Sequence, residues 1–330
     1  MNKKKNYRIK ELDALRGIAA LFVVLFHFTH NYRLTFGYDF SEKFDFIYGH
    51  YGVQLFFVIS GFVIFMSLHN VKSVGDFLFK RFLRLYPTYW LCLILTIIIV
   101  STNNIPGFQF TVKEKIMNFS MFQGLFNIKN IDGSYWSLLP ELLFYLLMAM
   151  IYRFKLMSRI IYVSVIWLLL IIASTFKHSL LDIFLNLRFG MFFLAGIQFY
   201  RIRFEKDSLY EHLIIFGCLL SIYIVRKDLE YFLFSILIFG FFYLFIYNKL
   251  SFLNTKLFLF LGFISYPLYL LHQNIGYIII YLLQQKGVNE YLSILIAIAI
   301  SILFAWIISK YFEKKIIKKI KISISLIFKN

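Results

Sequence analysis

The chain has 330 residues, is 60% hydrophobic and carries a formal net charge of +18. With a mean hydropathy of +0.73 and apolar runs recurring along its whole length, it is not an ordinary soluble domain, since no single core hides that much apolar surface. The charge does not indicate nucleic acid as a partner, because it sits in short clusters between the apolar runs, as in membrane proteins that fix their topology by charge.

In chain order, ten segments are long and apolar enough to cross a bilayer: residues 12–30, 50–68, 77–100, 136–152, 159–176, 183–200, 209–225, 231–248, 257–283 and 290–311. The predicted fold is an all-α polytopic membrane protein with about ten transmembrane helices. Residues 1–311 form the transmembrane domain and 312–330 a short basic tail. Ten crossings return both termini to one side. Lys and Arg number 24 on that side against nine on the other, which predicts both termini in the cytoplasm. No small-residue cleavage site follows Phe28, so the first segment reads as a retained helix. Cys92 and Cys218 fall inside apolar runs and offer neither a disulfide framework nor a metal site. No metal is expected. No internal repeat supports an inverted-repeat transporter. The longest outer connection runs from Ser101 to Tyr135, and loops of that length are usually functional.

Polar side chains in lipid-spanning segments are costly and mark candidate sites. In the first segment, Arg16 and His27 are eleven positions apart, three turns plus about 20°, so they share a face about 16 Å apart along the axis. Arg16 serves either as an interfacial anchor or as part of a site. His27 is either an interfacial histidine or a base. In the second segment, Gln54 lies near the outer end, and Gly61 is read as a close-packing position. The third opens with Lys80, Arg81 and Arg84. Arg81 and Arg84 share a face, and two guanidiniums one turn apart suit a phosphate clamp; the alternative is topological anchoring alone. In the fourth, Glu141 must face protein or a polar cavity, and Pro140 before it is expected to bend the helix. Arg188, near the outer end of the sixth, is expected to balance Glu141. His272, midway along the ninth, is either a satisfied core histidine or a ligand.

Five stretches resemble one family in its own order: ELDALRGIAALFVVLFHF, GVQLFFVISGFVI, FLFKRFLRLYPTYW, GSYWSLLPELLFYL and ISYPLYLLH. Together they span residues 11–272. The chain resembles the membrane-bound acyltransferase family 3. The resemblance implies O-acylation, usually O-acetylation, of a cell-envelope polysaccharide or glycolipid, with acetyl-CoA as the cytoplasmic donor and the inner membrane of a prokaryote as its place. It implies that Arg16 and His27 form the paired signature, that Arg81 and Arg84 engage coenzyme A, and that Glu141 is the fourth-helix acid. Many relatives carry a fused extracytoplasmic SGNH-type domain; this chain reads as the stand-alone type, acting directly on the glycan or passing the acyl group to a separate transferase.

Acyl transfer to a hydroxyl needs a base, oxyanion stabilisation and a held donor. His27 is the expected base, and Glu141 either orients it or fixes the acceptor. Arg81 and Arg84, with Lys80, hold the donor phosphates, and Arg16 lines the donor path. Ser134, Tyr135 and Ser137 are candidate acyl relays, and nothing in their spacing selects one. The rival readings are a transporter or flippase for an anionic envelope precursor and, less favoured, a glycan polymerase.

Overall fold

The computed structural model describes residues 9–37, 45–103, 105, 107–175, 180–313 and 315. Lys43, Lys177 and the basic tail beyond residue 315 lie outside them. Thirteen α-helices run in chain order among the described residues: α1 Lys10–Phe26, α2 Tyr32–Phe36, α3 Gly52–Leu68, α4 Val74–Thr102, α5 Val112–Asn118, α6 Leu138–Arg153, α7 Ile160–Ala173, α8 Leu180–Phe184, α9 Gly190–Phe204, α10 Leu209–Arg226, α11 Leu229–Ile246, α12 Lys256–Gln285 and α13 Glu290–Ile307. A π-turn, His27–Asn31, joins α1 to α2 as one rod, and a second, Ile308–Glu313, extends α13 two residues past the expected domain edge. Helices α1, α4, α10 and α12 begin at one end of the bundle, which we call the basic end.

The all-α polytopic reading holds. Eight helical stretches among the described residues are long and apolar enough to span a membrane. The expected sixth segment is not one helix. It breaks at Asn186, which sits in the left-handed region at φ 53°, leaving α8 and the 15-residue α9. Every residue from Gly190 to Tyr200 is buried, so α9 is sheathed in protein and has no need of a membrane-length apolar face. The ninth segment forms the 30-residue α12, whose His272, Gln273 and Asn274 dilute its apolarity in mid-helix.

Lipid chains are as apolar as leucine, so helices here associate through close packing rather than water exclusion. The α3–α9 crossing shows how. A Cβ on Gly61 would stand 2.1 Å from the Phe193 carbonyl oxygen, and one on Gly196 2.1 Å from that of Val58. The α1–α12 crossing uses Gly17 and Gly262 in the same way, each facing the other helix's backbone. Both cysteines are buried and unpaired.

Two local expectations change. Pro140 does not kink α6. It lies in the first turn, where its missing N–H has no intrahelical acceptor to lose, and its carbonyl accepts from the Asn186 side chain at 3.0 Å. The 101–135 connection is not simply an outer loop. Thr111 and Glu114 form a capping box that starts α5, and the segment then folds back along α4. Lys115 Nζ reaches Ser101 Oγ at 2.9 Å, while the carbonyls of Asn118, Phe119 and Ser120 accept from Tyr89, Trp90 and Tyr86. Tyr86 lies 15 residues before Ser101, about 22 Å along a helix axis.

Candidate active site

A cavity of about 100 Å³ opens among α1, α3, α4, α6 and α12. Arg16, Arg81 and Arg84 line it together with Glu141. The three-residue spacing of Arg81 and Arg84 puts both guanidiniums on the cavity side of α4. Arg81 packs over Phe77, 5.8 Å from the ring centre, and its buried Nε has no hydrogen-bond partner. Arg84 lies over Tyr266 and is ion-paired to Glu313 at the end of the second π-turn. Lys80 stands apart. It is exposed, bridges to Asp76 one turn earlier at 2.8 Å, and is not part of the cavity lining.

Glu141 shares this cavity with the arginines and does not touch His27 or Arg188. Its Oε1 accepts from Ser60 at 2.9 Å and from Tyr145 at 2.5 Å. The reason is helical phase: Tyr145 lies one turn on along α6, and Ser60 faces it from α3. The expected Glu141–Arg188 balance is therefore corrected. Arg188 is exposed at the opposite end, with its guanidinium over Phe189.

His27 instead meets His272. The rings are 4.8 Å apart at 64°, and His272 Nε2 lies 3.0 Å from His27 Nδ1. Hydrogen-bond partners assign the tautomers. Nδ1 of His272 faces the Tyr269 carbonyl at 2.8 Å, so it carries a proton and Nε2 is left as an acceptor. Nδ1 of His27 faces both that nitrogen and the Val23 carbonyl, at 2.8 Å, and is the donor. Nε2 of neutral His27 is thereby left with a free lone pair. His272 is fully buried and His27 only partly so, which makes His27 the one within reach of a substrate. It begins the π-turn, a local widening of the helix that recurs at functional sites.

Ser137 and Tyr269 connect the two groups. Their hydroxyls lie 2.7 Å apart at the end of the arginine cavity, and the Tyr269 carbonyl is the one that orients His272. Ser134 is tied to Asp132 at 2.6 Å, and Tyr135 is buried against Tyr89 with Thr96 at 3.5 Å. Neither lines this cavity. Gln54 lies toward the opposite end from the arginines. Its carbonyl accepts from Tyr231 at 3.0 Å, and its amide nitrogen faces the carbonyls of His50 and Tyr51. Sequence reasoning missed Tyr145, Tyr269 and Glu313. Only Tyr145 carried a signal, its four-residue spacing from Glu141.

The sequence matches the acyltransferase domain family over residues 9–310. It is 28% identical over 157 residues to nodulation protein 10 of Rhizobium leguminosarum bv. viciae, covering 42% of this chain and 43% of that protein. It is 38% identical over 89 residues to protein 2 in the picA locus of Rhizobium radiobacter, covering 26% of this chain and 41% of that protein. The chain thus spans about two-fifths of the length of these curated relatives. No solved structure matches it. With the match running from the first described residue to the π-turn after α13, the chain belongs to the acyltransferase family 3 of membrane proteins.

Proposed function

We propose that this protein transfers an acetyl group from coenzyme A to a hydroxyl of a cell-envelope polysaccharide or glycolipid, across the inner membrane of a prokaryotic cell. The observation that carries this reading is the His27–His272 contact, which leaves His27 Nε2 unprotonated; neither histidine lines the cavity with three guanidiniums, but Tyr269, which does, orients His272. The residues fit the donor: the arginines suit its phosphates, and the orphaned Nε of Arg81 is a buried donor in want of an acceptor. A cavity of about 100 Å³ takes the acyl-thioester end and leaves the nucleotide toward the basic end.

Acetyl-CoA supplies an activated thioester. His27 Nε2 accepts the proton of the acceptor hydroxyl as its oxygen bonds to the acyl carbon. Nδ1–H of the resulting imidazolium stays against His272 Nε2 and the Val23 carbonyl, much as a buried partner steadies a catalytic histidine elsewhere. The Ser137 and Tyr269 hydroxyls share the Ser134 carbonyl as acceptor, and one of them turns from it to donate to the developing oxyanion. As the carbon–sulfur bond breaks, His27 returns the proton to the departing thiolate. Glu141 neutralises part of the arginine charge and keeps the cavity polar. The acyl group goes to the glycan directly or to a separate extracytoplasmic transferase.

The test is thiol release from acetyl-CoA by the full chain in lipid nanodiscs, with and without envelope glycan. Glycan-stimulated release that His27→Ala abolishes, at unchanged protein level and melting temperature, supports the reading. A transporter or flippase releases no thiol.

A further inference from the structure

A second, larger cavity, about 760 Å³, lies at the end of the bundle opposite the arginine cavity. The ends of α7 and α10, the break before α9, the start of α6 and the folded-back segment after α5 enclose it. Its lining differs in kind from that of the first cavity. Three cations, Arg188, Arg226 and Lys227, face one carboxylate, Asp182, among the described residues. Arg226 is held in place: it donates to the Arg188 carbonyl at 3.2 Å and lies over Phe189 and Tyr231. Trp136 is 40% exposed beside Phe189, offering a flat apolar face. Gln123 is only 2% exposed. Its Nε2 donates to Asn130 at 2.7 Å, its Oε1 is buried without a partner, and Gln123 is one of the lining residues.

A buried orphan acceptor on a lining residue asks for a ligand that brings a donor. Clustered cations, one of them held in place, ask for an anion. An aromatic face beside them suits a ring with one apolar side and a polar edge. A sugar bearing a carboxylate or phosphate meets all three demands. A lipid headgroup with an acyl tail uses the cations but has less use for Gln123. The two cavities are neighbours: Ser137 and Glu141 line one while Trp136 and Pro140, from the same turns, line the other. Phe57 of the first cavity meets Trp136 and Phe189 of the second, at 6.4 and 5.1 Å.

We propose that this outer cavity is an acceptor subsite that anchors an anionic sugar of the glycan, so that the enzyme selects acidic over neutral acceptors. The proposal rests on the acyltransferase reading and adds the acceptor's chemical class. Binding to the full chain in phosphatidylcholine nanodiscs, with no acetyl-CoA present, tests it apart from catalysis. The probes are tetragalacturonate and galactose 6-phosphate, with maltotetraose as the neutral control. Either anionic probe binding about tenfold tighter than maltotetraose supports the proposal, and the tighter of the two names the anion. Arg226 also packs on two rings, so Arg226→Gln risks the fold. Lys227→Gln removes only an exposed charge and is expected to weaken the anionic probe severalfold at an unchanged melting temperature. Gln123→Leu removes the orphan acceptor together with the bond to Asn130, and is expected to weaken the probe severalfold with a somewhat lower melting temperature. Equal or undetectable binding of all three probes overturns the proposal, as does displacement of the saccharide by phosphatidylglycerol in the disc. If the anionic probe binds but no acetyl is ever transferred, the subsite stands and the acyltransferase reading fails. If transfer proceeds equally to acidic and neutral glycans, the reverse holds.

Discussion

Nε2 of His272 lies 3.0 Å from Nδ1 of His27, so one buried histidine decides which nitrogen of the other is free to take a proton. His272→Phe keeps a ring in the site and removes the acceptor. We expect kcat for acetyl transfer to fall about 10²–10⁴-fold, the usual worth of a positioned base, with KM for acetyl-CoA nearly unchanged. Steady-state kinetics in nanodiscs reads the split. A rise in KM with kcat intact would show that His272 is only a packing residue.

Arg81 and Arg84 are expected to hold the donor. Arg81→Ala or Arg84→Ala is expected to raise KM for acetyl-CoA by roughly 10- to 100-fold, the scale of one lost charge-assisted hydrogen bond. Glu313 shares Arg84 with any donor, so Glu313→Gln is expected to lower that KM. Lys80→Ala should leave it unchanged, since Lys80 pairs outward with Asp76.

Glu141 accepts two hydrogen bonds inside a cationic cavity. Glu141→Gln keeps an acceptor for Ser60 and Tyr145 but removes the charge, whereas Glu141→Ala removes both. Removing the charge leaves Arg16, Arg81 and Arg84 less balanced within the cavity, so both variants should melt earlier, Ala more than Gln. Equal inactivation by both at unchanged melting temperature would instead make Glu141 the proton acceptor.

The helix crossing at Gly61 leaves no room for a side chain. Gly61→Val should destabilise by at least about 1–3 kcal/mol through overpacking, read as a lower melting temperature in detergent. Gly240, with open space around it, is the control: Gly240→Ala should be neutral or slightly stabilising.

Asp45 joins the segment before α3 to the α1–α2 rod. Burial opposes its charge, but hydrogen bonds from His30 and Arg33 prevail and hold its carboxyl below the ordinary value. A carboxyl lowered in the folded state contributes stability that is complete above its unfolded value and is lost as pH falls through the lowered one. Asp45→Asn should therefore reduce the melting temperature at neutral pH and flatten its decline in acid. An unchanged acid limb would remove Asp45 from the account.

Helix positions were legible because apolar runs and charge clusters report them directly. So was the shared face of Arg81 and Arg84, which needs only the pitch of one helix. The partners across helices were not. Glu141 was matched with Arg188 because both lie toward the same end of their segments, but depth does not say which helices are neighbours, and the break at Asn186 turned Arg188 to the other cavity. The fold-back of residues 112–120 was hidden for a related reason. It depends on side chains of α4 donating to loop carbonyls, and such pairings leave no period in the sequence.

That fold-back also makes α4 a strut between the two cavities. Tyr86, two residues from Arg84, holds the Ser120 carbonyl at 2.9 Å, and three residues beyond Ser120 stands Gln123 in the wall of the larger cavity. The arginine pair and one wall of the larger cavity are thus mounted on the same rod. A tilt of α4 that reshapes one chamber carries the other with it, by mechanical linkage.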